Sequence, residues 1–497
     1  MVVLLAVALL AAVVPGLSPC VLPVVPGFAA GGVMGRVGGA RNGLRLWTCL
    51  VMMGMTAAGV LTALAPPVSA STGGVIKVAY QNYGTNITLN TLMQKAGAEF
   101  QKTYPGWTVD LEPIAAPEKT YYTKVDLMSR STSTAPDVLY EDTFLVNGDI
   151  ADGYLAPLGS YLSKWSGWSL YSAAAKAAAK GVDGQIYGVP MGTDTSGLWY
   201  NKTLLQSAGI AVPWQPKSWA DILSAAEKIK KAEPGVIPIN VYSGVGTGEV
   251  SSMQGFEMFL YGTNNPLYDT TTNKWEEAGA GWRATLNALK ALYGQGLAAS
   301  PQDALSLNWA STVPEQYLPQ GKLAIDLDGS WVSSDWAPAS KGGVTPWPAW
   351  TRTMGVAAMP TENGQGAGRT SMSGGWLLSV GSHATDKQMA FNFITVALDY
   401  QNSLFYDVGA RQIPARADVA AAPVYKSSNA SVTAFSSLVP FTHFRPAYAA
   451  YPKLSNVIQV ITGQVITGQA TPAQGAAMYN EFLISLVGPS KVEAAPQ

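Results

Sequence analysis

Alternation of apolar and polar positions in Val75-Ile76-Lys77-Val78-Ala79-Tyr80 predicts a β-strand, and the strand runs out into the polar turn Gln81-Asn82-Tyr83-Gly84. Over residues 91–103, Leu92, Ala96 and Phe100 recur every fourth position on one helical face, and Pro105-Gly106 breaks that helix before a second strand at 108–111. A strand, a helix and a strand in this order predict parallel pairing through a helical crossover. The expected architecture is therefore an open α/β sheet with its ligand at the carboxyl ends of strands. A third strand, Asp137-Val138-Leu139-Tyr140, runs into Glu141-Asp142-Thr143 and so carries two carboxylates at its tip. Further on, Gly184-Gln185-Ile186-Tyr187-Gly188-Val189-Pro190 leads into Met191-Gly192-Thr193-Asp194 and then Leu198-Trp199-Tyr200-Asn201-Lys202. Ser218 is placed to cap a helix through Lys231.

The first 70 residues depart from this pattern. Arg36, Arg41 and Arg45 precede an apolar run over 46–64, and Val68-Ser69-Ala70 follows as a small-x-small signature. These features predict an export signal starting at Met34 and cleaved after Ala70. The alternative is a retained anchor, since residues 47–64 are nearly long enough to span a bilayer. Upstream, Leu17-Ser18-Pro19-Cys20-Val21-Leu22-Pro23 resembles the first membrane segment of the cytochrome c biogenesis thiol-transfer proteins. That resemblance covers only residues 1–32, and no further membrane segment is predicted after Leu64. A start codon placed too far upstream, or a fused fragment, accounts for it. Cys20 and Cys49 both fall in this leader, so the remaining chain must hold together without disulfides. Pro19 before Cys20 and Trp47-Thr48 before Cys49 do not form a lipoprotein box. The expected location is extracytoplasmic, secreted or held at the outer face of the cell membrane.

Composition narrows the function. With 48% hydrophobic and 13% charged residues the chain is not of the disordered class, and a net charge of −1 leaves no excess of basic residues for a phosphate backbone. Nucleic acid is therefore not an expected partner. His383 and His443 are the only histidines, too few for an evident zinc site, and no Gly-x-x-x-x-Gly-Lys-Ser/Thr run is present for ATP. Neither metal nor cofactor is expected. Fifteen Trp and 22 Tyr supply many flat ring faces suited to neutral ring-shaped ligands.

The Tyr187-Gly188-Val189-Pro190 block, the acid Asp194, Tyr200-Asn201-Lys202, Pro213 and the helix opened by Trp219 resemble the extracytoplasmic solute-binding proteins of carbohydrate ABC importers. The resemblance continues through Gly321-Lys322-Leu323-Ala324-Ile325-Asp326-Leu327-Asp328-Gly329-Ser330-Trp331, Gly355-Val356-Ala357-Ala358-Met359-Pro360 and Ser373-Gly374-Gly375-Trp376-Leu377-Leu378-Ser379-Val380. Arg411-Gln412-Ile413-Pro414-Ala415-Arg416 and Phe444-Arg445-Pro446-Ala447-Tyr448 are similar to the family's closing motifs. It implies a periplasmic-binding-protein-like α/β fold, two discontinuous lobes joined by three crossings with a ligand cleft between them. Carried onto this chain, lobe one is 75–193 with 328–373 and lobe two is 197–323 with 377–490. The crossings fall near 194–197, 324–327 and 374–376. It also implies a monomer that binds a mono- or oligosaccharide, closes around it and meets the membrane permease subunits of an ABC importer, without covalent chemistry.

A sugar presents hydroxyls that need acceptors and donors, and C–H faces that need an aromatic surface. Asn82 and Tyr83, at the end of the first strand, are ligand candidates or a surface turn. Glu141 and Asp142 are candidate hydroxyl acceptors, although Asp142 also suits a helix cap. Asp194 matches the family's acid beside the first crossing, with a turn as its plainer reading. Trp331 and Trp376 are the candidate stacking faces. Phe256 aligns with an aromatic platform of the family but equally suits a core. Arg411 is a candidate donor, and Gly375 would let backbone N–H groups approach the ligand. The competing enzyme reading is a secreted glycoside hydrolase using Glu141 with Asp194, because such enzymes need two carboxylates set about 5–10 Å apart.

Overall fold

In the computed structural model, residues 73–84, 87–428 and 430–495 are described. The leader, with Met34, both cysteines and the signature at Ala70, lies outside the described residues. The first strand, β1 (Val75–Gln81), is followed by helix α1 (Ile87–Thr103), β2 (Thr108–Ile114), α2 (Glu118–Ser129) and β3 (Val138–Asp142). In α1 the buried residues Leu89, Leu92, Met93, Ala96 and Phe100 form one stripe at spacings of three and four. That stripe packs against β2 and the helix Lys387–Ala397, with the Phe100 and Phe393 rings 5.8 Å apart. Full burial of each of the larger side chains, Leu89, Leu92, Met93 and Phe100, stabilises the layer by roughly 1.5–3 kcal/mol.

Nine further strands position the site: β4 (Gly188–Thr193), β5 (Ser196–Asn201), β6 (Ile237–Asn240), β7 (Tyr268–Asp269), β8 (Lys274–Glu276), β9 (Leu323–Gly329), β10 (Met354–Ala357), β11 (Ser371–Ser373) and β12 (Gly375–Val380). Two more, β13 (Thr442–Phe444) and β14 (Val492–Glu493), come late in the chain. One sheet has the order β2-β1-β3-β12-β4 and the other β10-β5-β9-β6. In the first, β1 runs parallel to β2 and β3, whereas β12 runs antiparallel to β3 and β4. Each sheet has its own apolar core. That of the first lobe draws on β1, β3, β4 and β12 with the helix Lys387–Ala397. The core of the second includes the helices Ala280–Gly294, Tyr451–Ile466 and Pro472–Val487, where Trp282 and Tyr479 lie 4.0 Å apart. Ser218 caps the helix Trp219–Ala232, its hydroxyl accepting from the Asp221 N–H.

The lobes divide differently from the sequence-based expectation. Strand β10, expected in lobe one within 328–373, pairs with β5 in the second sheet, and β12, expected in lobe two, pairs with β3 and β4 in the first. Residues 324–327 lie inside β9, a central strand of the second sheet, and make no crossing. The physical reason is that both β10 and β12 add to strands formed much earlier in the chain, and a short apolar strand does not declare its distant partner. The passages between lobes run at Asp194–Thr195, at Ser373–Gly374, and between the helix Pro423–Lys426 and Phe435, which belongs to the second lobe's packing.

These passages are bonded to one another. The Ser371 hydroxyl donates to the Ser196 carbonyl at 2.8 Å and accepts from the Ser196 N–H at 3.0 Å. The Thr193 hydroxyl donates to the Gly374 carbonyl, that of Ser373 to the Asp194 carbonyl, and that of Thr195 to the Phe435 carbonyl. Parallel pairing of β11 with β13 completes the hinge. Gly375 has φ +149°, and a Cβ there would lie 2.8 Å from the Gly192 carbonyl oxygen, so the turn into β12 requires glycine. Among the described residues, no helix is long and apolar enough to cross a membrane.

Candidate functional site

Strand register brings the tips of both sheets to one place. Because β12 is antiparallel to its neighbours, its first residues lie beside the carboxyl ends of β3 and β4, Trp376 opposite Asp142 and Gly375 opposite Thr193. In the second sheet Ser196 lies opposite Gly329, so Asp328 and Trp331 emerge on the same side as Asp194. A cavity of about 440 Å³ lies between these ends, lined by residues of both lobes. Of the residues singled out in the sequence, Tyr83, Asp142, Asp194, Trp331, Gly375 and Trp376 line it.

Each lobe contributes an indole. Trp376 stacks on Tyr140 with centroids 4.1 Å apart and planes within 3°, meets Tyr121 edge-on, and has Tyr122 tilted by 30° at 6.0 Å. Packed on three sides, its ring is held in one orientation. Trp331 folds back over Gly329, where a Cβ would fall 2.0 Å from the indole, so that glycine makes room for the ring. Both tryptophans remain partly exposed.

The polar part is organised by Arg445. The residue is 7% exposed, and its guanidinium donates to Asp142 Oδ1 at 2.7 Å, lies 3.6 Å from Glu249 Oε1 and covers the Phe144 ring at 4.2 Å. Asp142 Oδ2 also accepts from the Tyr122 hydroxyl, and Glu249 accepts from Tyr451 and Ser455. Asp194 Oδ1 accepts from the Gly374 N–H at 2.9 Å. Burial pushes the Asp194 carboxyl up to about 6, opposed by the Gly374 N–H and by Arg445. Burial, and then the charge of Asp142, pushes Glu118 up to about 7, and burial likewise takes Asp328 to about 7.

These shifts fix a pH dependence. Carboxyls raised above their unfolded values make the native state bind more protons than the unfolded chain between about pH 4 and 7. Stability therefore declines as pH rises through that window. The urea midpoint is expected to be higher at pH 5 than at pH 8, and a midpoint that rises with pH would contradict the assignment.

The family model for bacterial extracellular solute-binding proteins matches residues 85–402. The chain belongs to that family. Among curated relatives of this solute-binding protein, a protein of Brucella abortus (strain 2308) described as a binding protein is 21% identical, over 86% of this chain and 95% of its own. Among solved structures, the GacH receptor of Streptomyces glaucescens, determined unliganded and with acarbose, has a TM-score of 0.70 at 23% identity, covering 84% of this chain and 99% of that one. Maltose-bound MalE3 of T. maritima has a TM-score of 0.71 at 20% identity, covering 83% and 100%. The solute-binding protein thus has the periplasmic-binding-protein-like fold, and its family is one of binding proteins rather than enzymes.

Four expected site residues of the solute-binding protein lie outside the cavity wall. Glu141 occupies the opposite face of β3 from Asp142, where its carboxyl interacts with Asp149 and both are raised, Glu141 by burial first. The hydrolase pair Glu141 and Asp194 is therefore not assembled in the cavity. Phe256 is fully buried against Trp282 at 4.4 Å in the core of the second lobe. Arg411 turns away to donate to the Val408 carbonyl, and its neighbour Gln412 lines the cavity instead. The Asn82 N–H is taken by the Ile114 carbonyl. Arg445, Glu118, Glu249, Tyr242 and Asp335 line the cavity without having been singled out as site residues. Only Arg445 carried a signal, as part of Phe444-Arg445-Pro446.

Proposed function

We propose that this protein binds a mono- or oligosaccharide between its lobes outside the cytoplasmic membrane and delivers it to the permease of an ABC importer by lobe closure. The observation that carries this reading is one cavity holding an indole from each lobe beside carboxylate acceptors. Ring faces take the C–H surface of a pyranose, and Asp142 and Asp194 accept its hydroxyls. The ligands of related structures, acarbose for GacH, maltose for MalE3 and cycloalternan for a Listeria monocytogenes protein, support a carbohydrate. A ligand touching both lobes favours the closed form by its differential affinity for it, and a permease would then read the closed surface. The protein acts as a monomer in this reading, secreted or held at the outer face of the membrane.

Calorimetric titration against mono- to tetrasaccharides is expected to find a binding sugar, with amino acids and peptides silent. Trp331→Ala should lose about 2 kcal/mol of affinity, roughly 30-fold, with little change in thermal stability. Gly329→Ala should act in the same direction by displacing the indole. Binding of amino acids or peptides, with no saccharide bound, would overturn the reading.

A further inference from the structure

Acidic side chains in the cavity outnumber basic ones. Seven carboxylate side chains line it against two basic ones. Arg445 serves Asp142 and Glu249, and Lys119 is exposed with its ammonium on Asn456 Oδ1. That leaves Glu118, Asp194, Glu315, Asp328 and Asp335 outside any ion pair among the described residues, although the Arg445 charge still acts on Glu118 and Asp194. Asp194 and Asp328 each accept a backbone N–H, from Gly374 and Gly329. Asp335 is different: it is 2% exposed, it lines the cavity, and its Oδ1 has no hydrogen-bond partner. The neighbouring Ser334 hydroxyl, 5% exposed and lining the same wall, is also unpartnered. An unpaired buried acceptor is costly, and a group of them in one cavity repel.

We propose that the cleft selects a saccharide bearing a protonated amine, with the ammonium held by the acidic wall formed by Asp335, Glu315 and Asp328. This assignment rests on the carbohydrate reading above and deepens it. An ammonium offers three donors and a full positive charge. It satisfies Asp335 and lessens the repulsion among the other carboxylates, which a neutral hydroxyl cannot do. Burial together with Glu315 and Asp328 raises the Asp335 carboxyl, the behaviour of an acid lacking a cation.

The test is calorimetric titration of the purified protein at about pH 6.5, where an amine with a pKa near 8 is protonated. Matched probes are glucosamine, galactosamine and mannosamine, each against its parent sugar and its N-acetyl form. Chitosan oligosaccharides are compared with chitin and cellulose oligosaccharides of equal length. The best amine-bearing sugar is expected to bind at least about tenfold tighter than its neutral partners, the equivalent of one charge-assisted hydrogen bond. That advantage should shrink between low and high salt. In Glu315→Gln, at a half-buried position of the same wall, and in Asp335→Asn, the ratio of amine to neutral affinity should fall. Neutral sugars binding as tightly as amines, or an unchanged ratio in both variants, would overturn the amine assignment and leave the carbohydrate reading standing. Silence from every sugar, amino or neutral, would overturn both.

Discussion

Arg445→Ala is expected to destabilise the protein by about 3–5 kcal/mol and to remove ligand binding. The guanidinium is buried, and its loss would strand the carboxylates of Asp142 and Glu249, one from the first lobe's sheet and one from the second lobe, in a site that water reaches poorly. Removing one member of a buried ionic cluster leaves the remaining charge uncompensated, which costs more than the attraction between the partners was worth. The loss should be smaller at pH 5 than at pH 8. Burial already raises both carboxyls and Arg445 opposes it, so without the arginine they would hold protons to still higher pH. Adding Asp142→Asn and Glu249→Gln to Arg445→Ala should recover part of the stability. Urea unfolding of the single and triple variants decides the matter: equal midpoints would mean that the carboxylates are not what the arginine compensates.

Trp376→Ala combines a packing loss with a binding loss. The indole fills the space between Tyr140, Tyr121 and Tyr122, so its truncation should cost about 3 kcal/mol of stability. It should also weaken saccharide binding sharply, because the ring left on that side of the cavity, Tyr140, lies beneath the indole. Trp376→Phe keeps part of the stack on Tyr140 and should regain most of the stability but only part of the affinity. A Trp376→Ala protein that binds sugar like the parent would show that the indole is structural alone.

Much of the architecture was readable because local pattern controls it. The alternation in β1, the four-residue spacing in α1 and the Ser218 cap all reappear where their residues demand them. The crevice residues Trp331 and Trp376 were visible because each adjoins glycines at a strand end. Other features depend on partners far away in sequence. Glu141 and Asp142 are adjacent on a strand buried on both faces, so alternation says that they diverge without saying which one meets the cavity. Which sheet receives β10 or β12 is decided by pairing with β5 or β3, and neither strand carries a local mark of that choice. Arg445 sits in a quoted motif, yet its partner Asp142 is 303 residues away. Phe256 shows the limit of aromatic reasoning: its helical segment is buried on every side, so the ring packs into the core.

Small-angle scattering of the protein with and without its saturating saccharide measures the central claim most directly. Two lobes that grip a sugar predict a smaller radius of gyration in the bound state, and no such change when sugar is added to Trp376→Ala. A radius unaltered by a saccharide that calorimetry shows to be bound would contradict closure as the mode of action.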